Sequence, residues 1–270
     1  MSDEVILTEV TNRVGIITLN RPERRNALNG QLIAALDAAV KAMGADPDAK
    51  VVVLTGAAPD GGHGGFCSGG DVKRDPSDNA GSELGVPPRA LDGDLGRHDQ
   101  HAAMLLHLMP KPTIAMVGGA AVGAGCSLAA ACDLRFASDE ALFAANFSPN
   151  GLSGDFGGSF FWTSIAGTAV ARRLYLLNEK LTAQQALELG MVHAVVPAAE
   201  LRGYTLGVAA KLVRTPAPLL GLVKANLNEA ELEVERRRFL FAHEAHNQKE
   251  SRRLMLERMA AKAAAEQPPA

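Results

Sequence analysis

The fold class is decided by one uncharged stretch, residues 113–132, which reads TIAMVGGAAVGAGCSLAAAC. About twenty apolar residues are enough to cross a membrane, and Gly119 and Gly123 have the spacing of a helix-pairing motif. Most of the stretch is glycine and alanine, however, which gain little from transfer into lipid. The pattern therefore predicts a buried strand over residues 113–117, a glycine turn, and a helix over about residues 124–131.

The flanking segments continue this alternation of strand and helix. A hairpin is predicted from residues 5–9 and 14–19, which alternate and are rich in β-branched side chains. The remaining predictions for this half are a helix over residues 31–43, a buried strand over 51–55, loops over 56–65 and 75–96, a helix over 98–109 and a strand over 134–137. Strand–helix–strand order recurs three times, which predicts an α/β layered sheet.

The back third of the chain is predicted to be helical. The predicted helices cover residues 168–177, 183–189, 199–213, 217–230 and 231 to about 264. We expect residues 1–200 to form the core and residues 201–270 to form a helical C-terminal region. The last helix is charged and carries apolar side chains, so it packs either on a neighbouring subunit or back on its own chain.

Composition excludes several classes of protein. The chain has 270 residues, 47% apolar and 21% charged, with a formal net charge of −3. This supports a packed core and argues against a nucleic-acid partner. The acidic N-terminus does not resemble a secretory signal. Cys67, Cys126 and Cys132 lack metal-site spacing and cannot form a disulfide framework. We expect a cytoplasmic protein with no metal and no membrane partner.

Two glycine-bearing segments have the chemistry of an anion site. They are FCSGGDVK, residues 66–73, and GAGCS, residues 123–127, which opens a predicted helix. Glycine lets a ligand approach the main chain, and the first N–H groups of a helix have no intrahelical acceptor. Two such groups facing one carbonyl oxygen form an oxyanion hole, where one donor contributes roughly 2.7–4 kcal/mol. Each segment alone also fits a plain turn, and neither matches a phosphate loop.

Asp155 lies in a third glycine-rich stretch, GLSGDFGG, residues 151–158, among aromatic residues. Two interpretations stay open. A carboxylate in a desolvated pocket gains proton affinity and becomes a better general base. An aspartate in front of a helix is also a favoured N-cap.

These segments together resemble the enoyl-CoA hydratase/isomerase family, also called the crotonase superfamily. The resemblance covers roughly residues 5–200 and is carried by LNRP and NAL (19–22, 26–28), residues 66–73, KP through CDL (111–134), and LTA, Ala186 and GMV (181–183, 186, 190–192). It implies an α/β fold with a crotonase-like spiral of ββα units and a helical C-terminal trimerisation region. It also implies an acyl-CoA substrate, no cofactor beyond the coenzyme A of that substrate, and a homotrimer or a hexamer made of two trimers.

The resemblance also implies roles for individual residues. The oxyanion hole falls on the backbone N–H groups of Ser68 and Ala124. The substrate-binding residues are Arg24, Arg25, Ala27, Leu28, Cys67, Gly69, Gly70, Asp71, Val72 and Phe147. A guanidinium of Arg24 or Arg25 suits a coenzyme A phosphate.

Two departures from the family pattern bear on the reaction. Hydratases of the family use two glutamates, and this chain has Ser127 and Phe147 at those positions. Asp155 offers one carboxylate instead, which suffices to move a proton in double-bond isomerisation. A dehalogenase reaction would require a histidine near position 100, where the chain has Gln100 beside His101. Two further alternatives stay open: a hydratase with an altered active site, and a non-catalytic acyl-CoA binder.

Overall fold

The computed structural model describes residues 4–59, 65–71 and 102–231, together with residues 253, 256 and 257. The strands within these ranges are β1 Ile6–Thr11, β2 Val14–Leu19, β3 Val51–Gly56, β4 Thr113–Val117, β5 Ala120–Val122, β6 Leu134–Ser138, β7 Leu142–Ala144, β8 Leu181–Thr182 and β9 Ala194–Val196. The helices are α1 Gly30–Ala45, α2 Ala102–Leu108, α3 Ala124–Ala131, α4 Gly158–Leu176, α5 Ala183–Glu188, α6 Leu201–Val213 and α7 Ala217–Glu231. The predicted α/β class is confirmed.

Six strands form the main sheet, in the order β1-β2-β3-β4-β6-β9. Strands β1 and β2 are the predicted antiparallel hairpin, with Ile6 opposite Leu19. Its turn residues Asn12 and Arg13 have φ angles of 50° and 65°, the left-handed geometry that suits two-residue hairpins. All other neighbouring strands of this sheet are parallel.

The central strands of the main sheet are buried on both faces, which explains why they are apolar at successive positions. In β3, Val52 and Leu54 face the larger core, which also contains α1 to α4. Val51 and Val53 face a smaller core that α6 closes with Leu201 and Ala209. The first helix of the predicted C-terminal region thus packs directly on the sheet, and the division at residue 200 remains a prediction.

A second sheet, in the order β5-β7-β8, was not expected from the sequence. Its strands are two or three residues long, too short for an alternating pattern to be recognised. Strand β5 is parallel to β7 and leads directly into α3. This small sheet therefore places the beginning of α3, where the sequence predicts an oxyanion hole.

Several predicted boundaries shift. Helix α1 continues through Gly44, the predicted stop, because the cap falls at Asp46, whose N–H donates to the Ala42 carbonyl at 3.0 Å. Helix α4 begins ten residues earlier than predicted and is interrupted at Gly167, where φ is 80°. The loop predicted over 75–96 and most of the terminal helix predicted over 231–264 lie outside the described residues.

The uncharged stretch 113–132 is a strand, a short strand and a helix, as the glycine turn predicts, with one short strand more than expected. In the described part of the chain, no helix combines the length and the apolar character needed to cross a membrane.

Candidate active site

The segment 65–71 is held in place by the buried side chain of Asn26. Its amide nitrogen donates to the carbonyls of Ala57 and Phe66, both at 2.9 Å, and its amide oxygen accepts the N–H of Arg21 at 2.9 Å. Asn26 has a φ of 54°, a left-handed conformation that asparagine tolerates better than most residues. One side chain thus ties the end of β3 to the first glycine segment.

Asp71 closes the same segment from its other end. Its carboxylate accepts two hydrogen bonds at 3.1 Å from the guanidinium of Arg21, and its N–H donates to the Leu28 carbonyl at 2.9 Å. Arg21 also donates to the Ala27 carbonyl at 2.5 Å. The Asp71 carboxylate, predicted to lie in the substrate-binding stretch, is thus already paired with an arginine that the sequence analysis did not single out.

The two predicted glycine segments come together, as an oxyanion hole requires. The N–H of Cys67 donates to the Ala120 carbonyl at 3.0 Å, and the N–H of Val122 donates to the Cys67 carbonyl at 2.9 Å. Gly69 has a φ of 89°, and a Cβ atom there would lie 2.7 Å from the Val122 oxygen. Only glycine allows this close approach.

Three main-chain N–H groups lie at this junction, and they differ in their partners. Ala124 begins α3, so its N–H has no acceptor within the helix. The N–H of Ser68 donates to the Arg25 carbonyl at 3.1 Å. Gly70 forms an isolated parallel bridge with Leu28, which uses the N–H groups of Leu28 and Asp71 and turns the Gly70 N–H away from Leu28. The described residues offer the Gly70 N–H no acceptor.

Asp155 is not the N-cap residue of helix α4. Helix α4 has Gly157 at its N-cap, without a capping side chain, and Asp155 uses its main-chain carbonyl to accept the Gly158 N–H at 3.1 Å. Positive φ angles at Gly154, Phe156 and Gly157 (138°, 53° and 71°) turn the chain sharply on both sides of it. Of the two interpretations left open, the N-cap is therefore wrong.

The negative charge of Asp155 affects the pKa of a thiol in the first glycine segment. Burial raises the pKa of the Cys67 thiol to about 12, and the nearby negative charge of Asp155 also raises it, while a hydrogen bond from the Gly69 backbone lowers it. The Oδ1 of Asp155 is itself buried, and its charge is near enough to Cys67 to contribute to this shift. Cys67 stays a protonated thiol at neutral pH.

The two positions that depart from the hydratase pattern also lie at this junction. Ser127 is fully buried and its hydroxyl donates to the Gly123 carbonyl at 3.4 Å. Phe147 is buried too, with a ring carbon 3.8 Å from where a Cβ of Gly123 would lie. Its ring stacks on Tyr175 at a centroid distance of 5.7 Å. Neither position carries a carboxylate.

The other predicted binding residues are placed as follows. Arg24 and Arg25 are exposed at the end of a short 3-10 turn, Pro22–Arg24. The side chains of Ala27, Leu28 and Cys67 are buried in the core. Val72 lies outside the described residues. In the part of the chain that the structure describes, no three His, Cys, Asp or Glu side chains come together as a metal site requires.

The chain belongs to the enoyl-CoA hydratase/isomerase family, whose model matches residues 9–263. It is 36% identical to the 1,2-epoxyphenylacetyl-CoA isomerase of Escherichia coli (strain K12), over 84% of this chain and 83% of that protein. It is 30% identical to the short-chain-enoyl-CoA hydratase of Clostridium acetobutylicum, over 83% of this chain and 80% of that protein. The family predicted from the sequence motifs is confirmed.

Solved structures of enoyl-CoA hydratases have a similar fold. An enoyl-CoA hydratase from Mycobacterium avium subsp. paratuberculosis K-10 superposes with a TM-score of 0.77 at 28% identity, covering 93% of this chain and 95% of that one. An enoyl-CoA hydratase from Mycobacterium tuberculosis H37Rv has a TM-score of 0.74 at 33% identity, covering 92% and 99%. The chain therefore has the crotonase-like α/β fold, and the family implies an acyl-CoA substrate.

The sequence analysis missed the residues that hold the site together. Arg21 and Asn26 lie inside quoted motifs, but no pattern shows that their side chains bind segments 31 to 50 residues away. Tyr175 gave no signal, because its contact with Phe147 spans helix α4 and the preceding loop.

Proposed function

We propose that this enzyme isomerises the double bond of an enoyl-CoA thioester, with Asp155 as the single proton shuttle. Asp155 removes a proton from C2 of a 3-enoyl thioester. The electron pair moves through C3 to C4 as the double bond shifts to C2–C3, and Asp155 returns the proton to C4. The negative charge of the intermediate dienolate rests on the thioester oxygen, where main-chain N–H groups stabilise it.

The observation that carries this proposal is the position of Asp155. Its Oδ1 is buried, and its carbonyl accepts the N–H of Gly158, which lies against Ser127 of α3. Its charge contributes to the raised pKa of Cys67 in the first glycine segment. Ser127 and Phe147 supply no second carboxylate for activating water. The Escherichia coli relative is named as an isomerase of a different acyl-CoA thioester, an epoxide, which supports an isomerisation on a thioester substrate.

For the oxyanion hole we propose the N–H groups of Ala124 and Gly70. The sequence predicted Ser68 as the second donor, but a substrate oxygen would have to displace the Arg25 carbonyl from it. The Gly70 N–H requires no such exchange. Two donors of this kind contribute several kcal/mol to the stability of the dienolate, at roughly 2.7–4 kcal/mol for one.

We further propose that the chain works as a homotrimer or as a hexamer of two trimers. Leu176 and Leu177 at the end of α4 are each 73% exposed, and Leu222 and Leu227 on α7 are 65% and 62% exposed. Large apolar side chains exposed to this extent favour a protein interface.

The experiment that tests the function replaces Asp155 by asparagine, which keeps the shape of the side chain and removes the base. Turnover of 3-enoyl-CoA should fall by roughly 10²- to 10⁴-fold, while Asp48→Asn, at an exposed surface position, should leave it unchanged. Unchanged turnover in Asp155→Asn contradicts the proposal.

Two measurements separate the alternatives. Incorporation of labelled oxygen from water into a hydroxyl product would identify a hydratase, the activity named for the Clostridium relative. Binding of an enoyl-CoA in calorimetry, with no turnover of any enoyl-CoA, would identify a non-catalytic binder.

A further inference from the structure

We infer that Tyr175 is a positioning residue of the active site, which acts through Gly158 and Ser127 to fix Asp155 relative to the Ala124 N–H. The inference rests on the proposed function, because it assigns Tyr175 a role in that same site. Tyr175 lies near the C-terminal end of α4, whereas Asp155 lies just before its N-terminal end.

The first observation is a very close contact at Gly158. A Cβ atom at this position would lie 2.1 Å from the Ser127 hydroxyl oxygen and 2.4 Å from the Tyr175 phenol oxygen. Real Cβ atoms do not come this close to oxygen, so only glycine fits between the two hydroxyls. Residues of α3 and of both ends of α4 therefore meet at one point, which we call the Gly158 contact (Ser127, Gly158 and Tyr175).

The second observation is the break in α4 at Gly167. Its φ of 80° and ψ of 164° are far from helical values, so the second half of the helix leaves the axis of the first. A straight helix would place Tyr175 more than four turns from Gly158, at 1.5 Å per residue. The break allows the phenol of Tyr175 to return to the beginning of the same helix and its ring to stack on Phe147.

The Gly158 contact connects the two groups that the reaction needs. On one side, the Gly158 N–H donates to the Asp155 carbonyl at 3.1 Å. On the other, the Ser127 hydroxyl donates to the carbonyl of Gly123, one residue before the Ala124 donor. The acid and the oxyanion donor are thus joined through two short chains of contacts. A displacement of 1 Å between such groups costs up to about 10²-fold in rate.

The test removes the phenol oxygen alone, with Tyr175→Phe, which retains the ring stacked on Phe147. We expect kcat for 3-enoyl-CoA isomerisation to fall roughly 10- to 100-fold, with KM changed by no more than about twofold because the binding residues are untouched. Ser127→Ala should give a similar loss, and the double variant should be no slower than the slower single variant, because both remove the same contact.

The matched control is Tyr204→Phe, at a 42% exposed position on α6 and in contact with Phe136, which should leave kcat unchanged. Thermal unfolding is measured for every variant, and the inference requires the loss in kcat without a matching loss of stability. A kcat for Tyr175→Phe within about twofold of the parent, or a loss that appears only in KM, overturns it.

Failure of the inference is distinguishable from failure of the proposed function. Exchange of the C2 protons of a saturated acyl-CoA with D₂O requires only the base and the oxyanion hole, so it is measured alongside isomerisation. If Asp155→Asn abolishes exchange and Tyr175→Phe does not slow it, only the role of Tyr175 is wrong. If the parent exchanges protons but isomerises no enoyl-CoA, the proposed reaction is wrong, and slowed exchange in Tyr175→Phe still supports the inference.

Discussion

At the scale of single residues, the site depends on a buried side-chain amide whose nitrogen and oxygen both make hydrogen bonds. Asn26 makes three hydrogen bonds with main-chain groups from three parts of the chain. A buried group that loses its partner costs about 1–3 kcal/mol, so removing one such side chain affects the whole first glycine segment. The geometry of the proposed oxyanion hole thus depends on a side chain that supplies neither of its donors.

Asn26→Ala should lower the free energy of unfolding by roughly 2–4 kcal/mol, because it leaves buried main-chain groups without partners. Activity should fall as well, since the segment that carries Gly70 loses its support. The control is Asn178→Ala, whose φ of 51° is also left-handed but whose amide makes a single exposed hydrogen bond to Ser148. Urea denaturation compares the two, and equal losses would contradict a special role for Asn26.

The three thiols should be unreactive in the folded protein. Burial raises the pKa of Cys67, Cys126 and Cys132 to about 12 in each case, and only the thiolate reacts. At pH 8 we expect a disulfide reagent such as DTNB to titrate no thiol in the native protein and three after unfolding in guanidinium chloride. Rapid reaction of one native thiol would contradict the placement of that side chain.

At the scale of elements, a buried lysine helps to attach α7 to the core. The Lys224 ammonium donates to the Leu106 carbonyl at 2.7 Å and lies 2.8 Å from the Asp133 carboxylate. Asp133 also accepts the N–H of Thr113 at 2.7 Å. One ion pair therefore connects α7, α2, β4 and the chain between α3 and β6.

Lys224→Met should lower the free energy of unfolding by about 3 kcal/mol, because breaking a buried pair leaves Asp133 without its counter-ion. Lys211→Met, at an exposed position on α6, is the control and should have little effect. Chemical denaturation measures both. A Lys224→Met protein as stable as the parent would show that the pair contributes nothing net.

From the pKa of Lys224 we predict how the free energy of unfolding changes with pH. Burial lowers the pKa of Lys224 below its ordinary 10.5, although Asp133 opposes the shift. The unfolded chain then binds this proton more tightly than the folded protein, so stability increases as pH rises from the folded-state pKa towards 10.5. The difference in unfolding free energy between parent and Lys224→Met should therefore change over this alkaline range. A constant difference from pH 7 to 10 would contradict the lowered pKa.

At the scale of the whole molecule, the described chain buries the central strands of its main sheet on both faces but leaves several leucines exposed. The most exposed of them lie on α7 and at the end of α4. An interface between copies of the chain would remove this apolar surface from water, at about 25 cal/mol for each Å².

Leu222→Glu combined with Leu227→Glu should reduce the assembled mass measured by light scattering, from three or six chains towards one. A charge buried at an interface without a partner disfavours association. The control is Leu7→Glu, on edge strand β1 and 38% exposed, which should leave the mass unchanged. An unaltered mass in the double variant would contradict an interface on α7.

The sequence by itself determined the family, the α/β class, most elements of the main sheet and the meeting of two glycine segments. These follow from local periodicity and from motifs whose backbone conformation only glycine allows. The tertiary structure alone decided which groups face one another. Gly157 rather than Asp155 is the N-cap of α4. The Arg25 carbonyl accepts the Ser68 N–H, and the Tyr175 phenol lies against Gly158. The reason is physical, because these contacts join residues that are distant in the chain, and their geometry is set by packing rather than by any local preference.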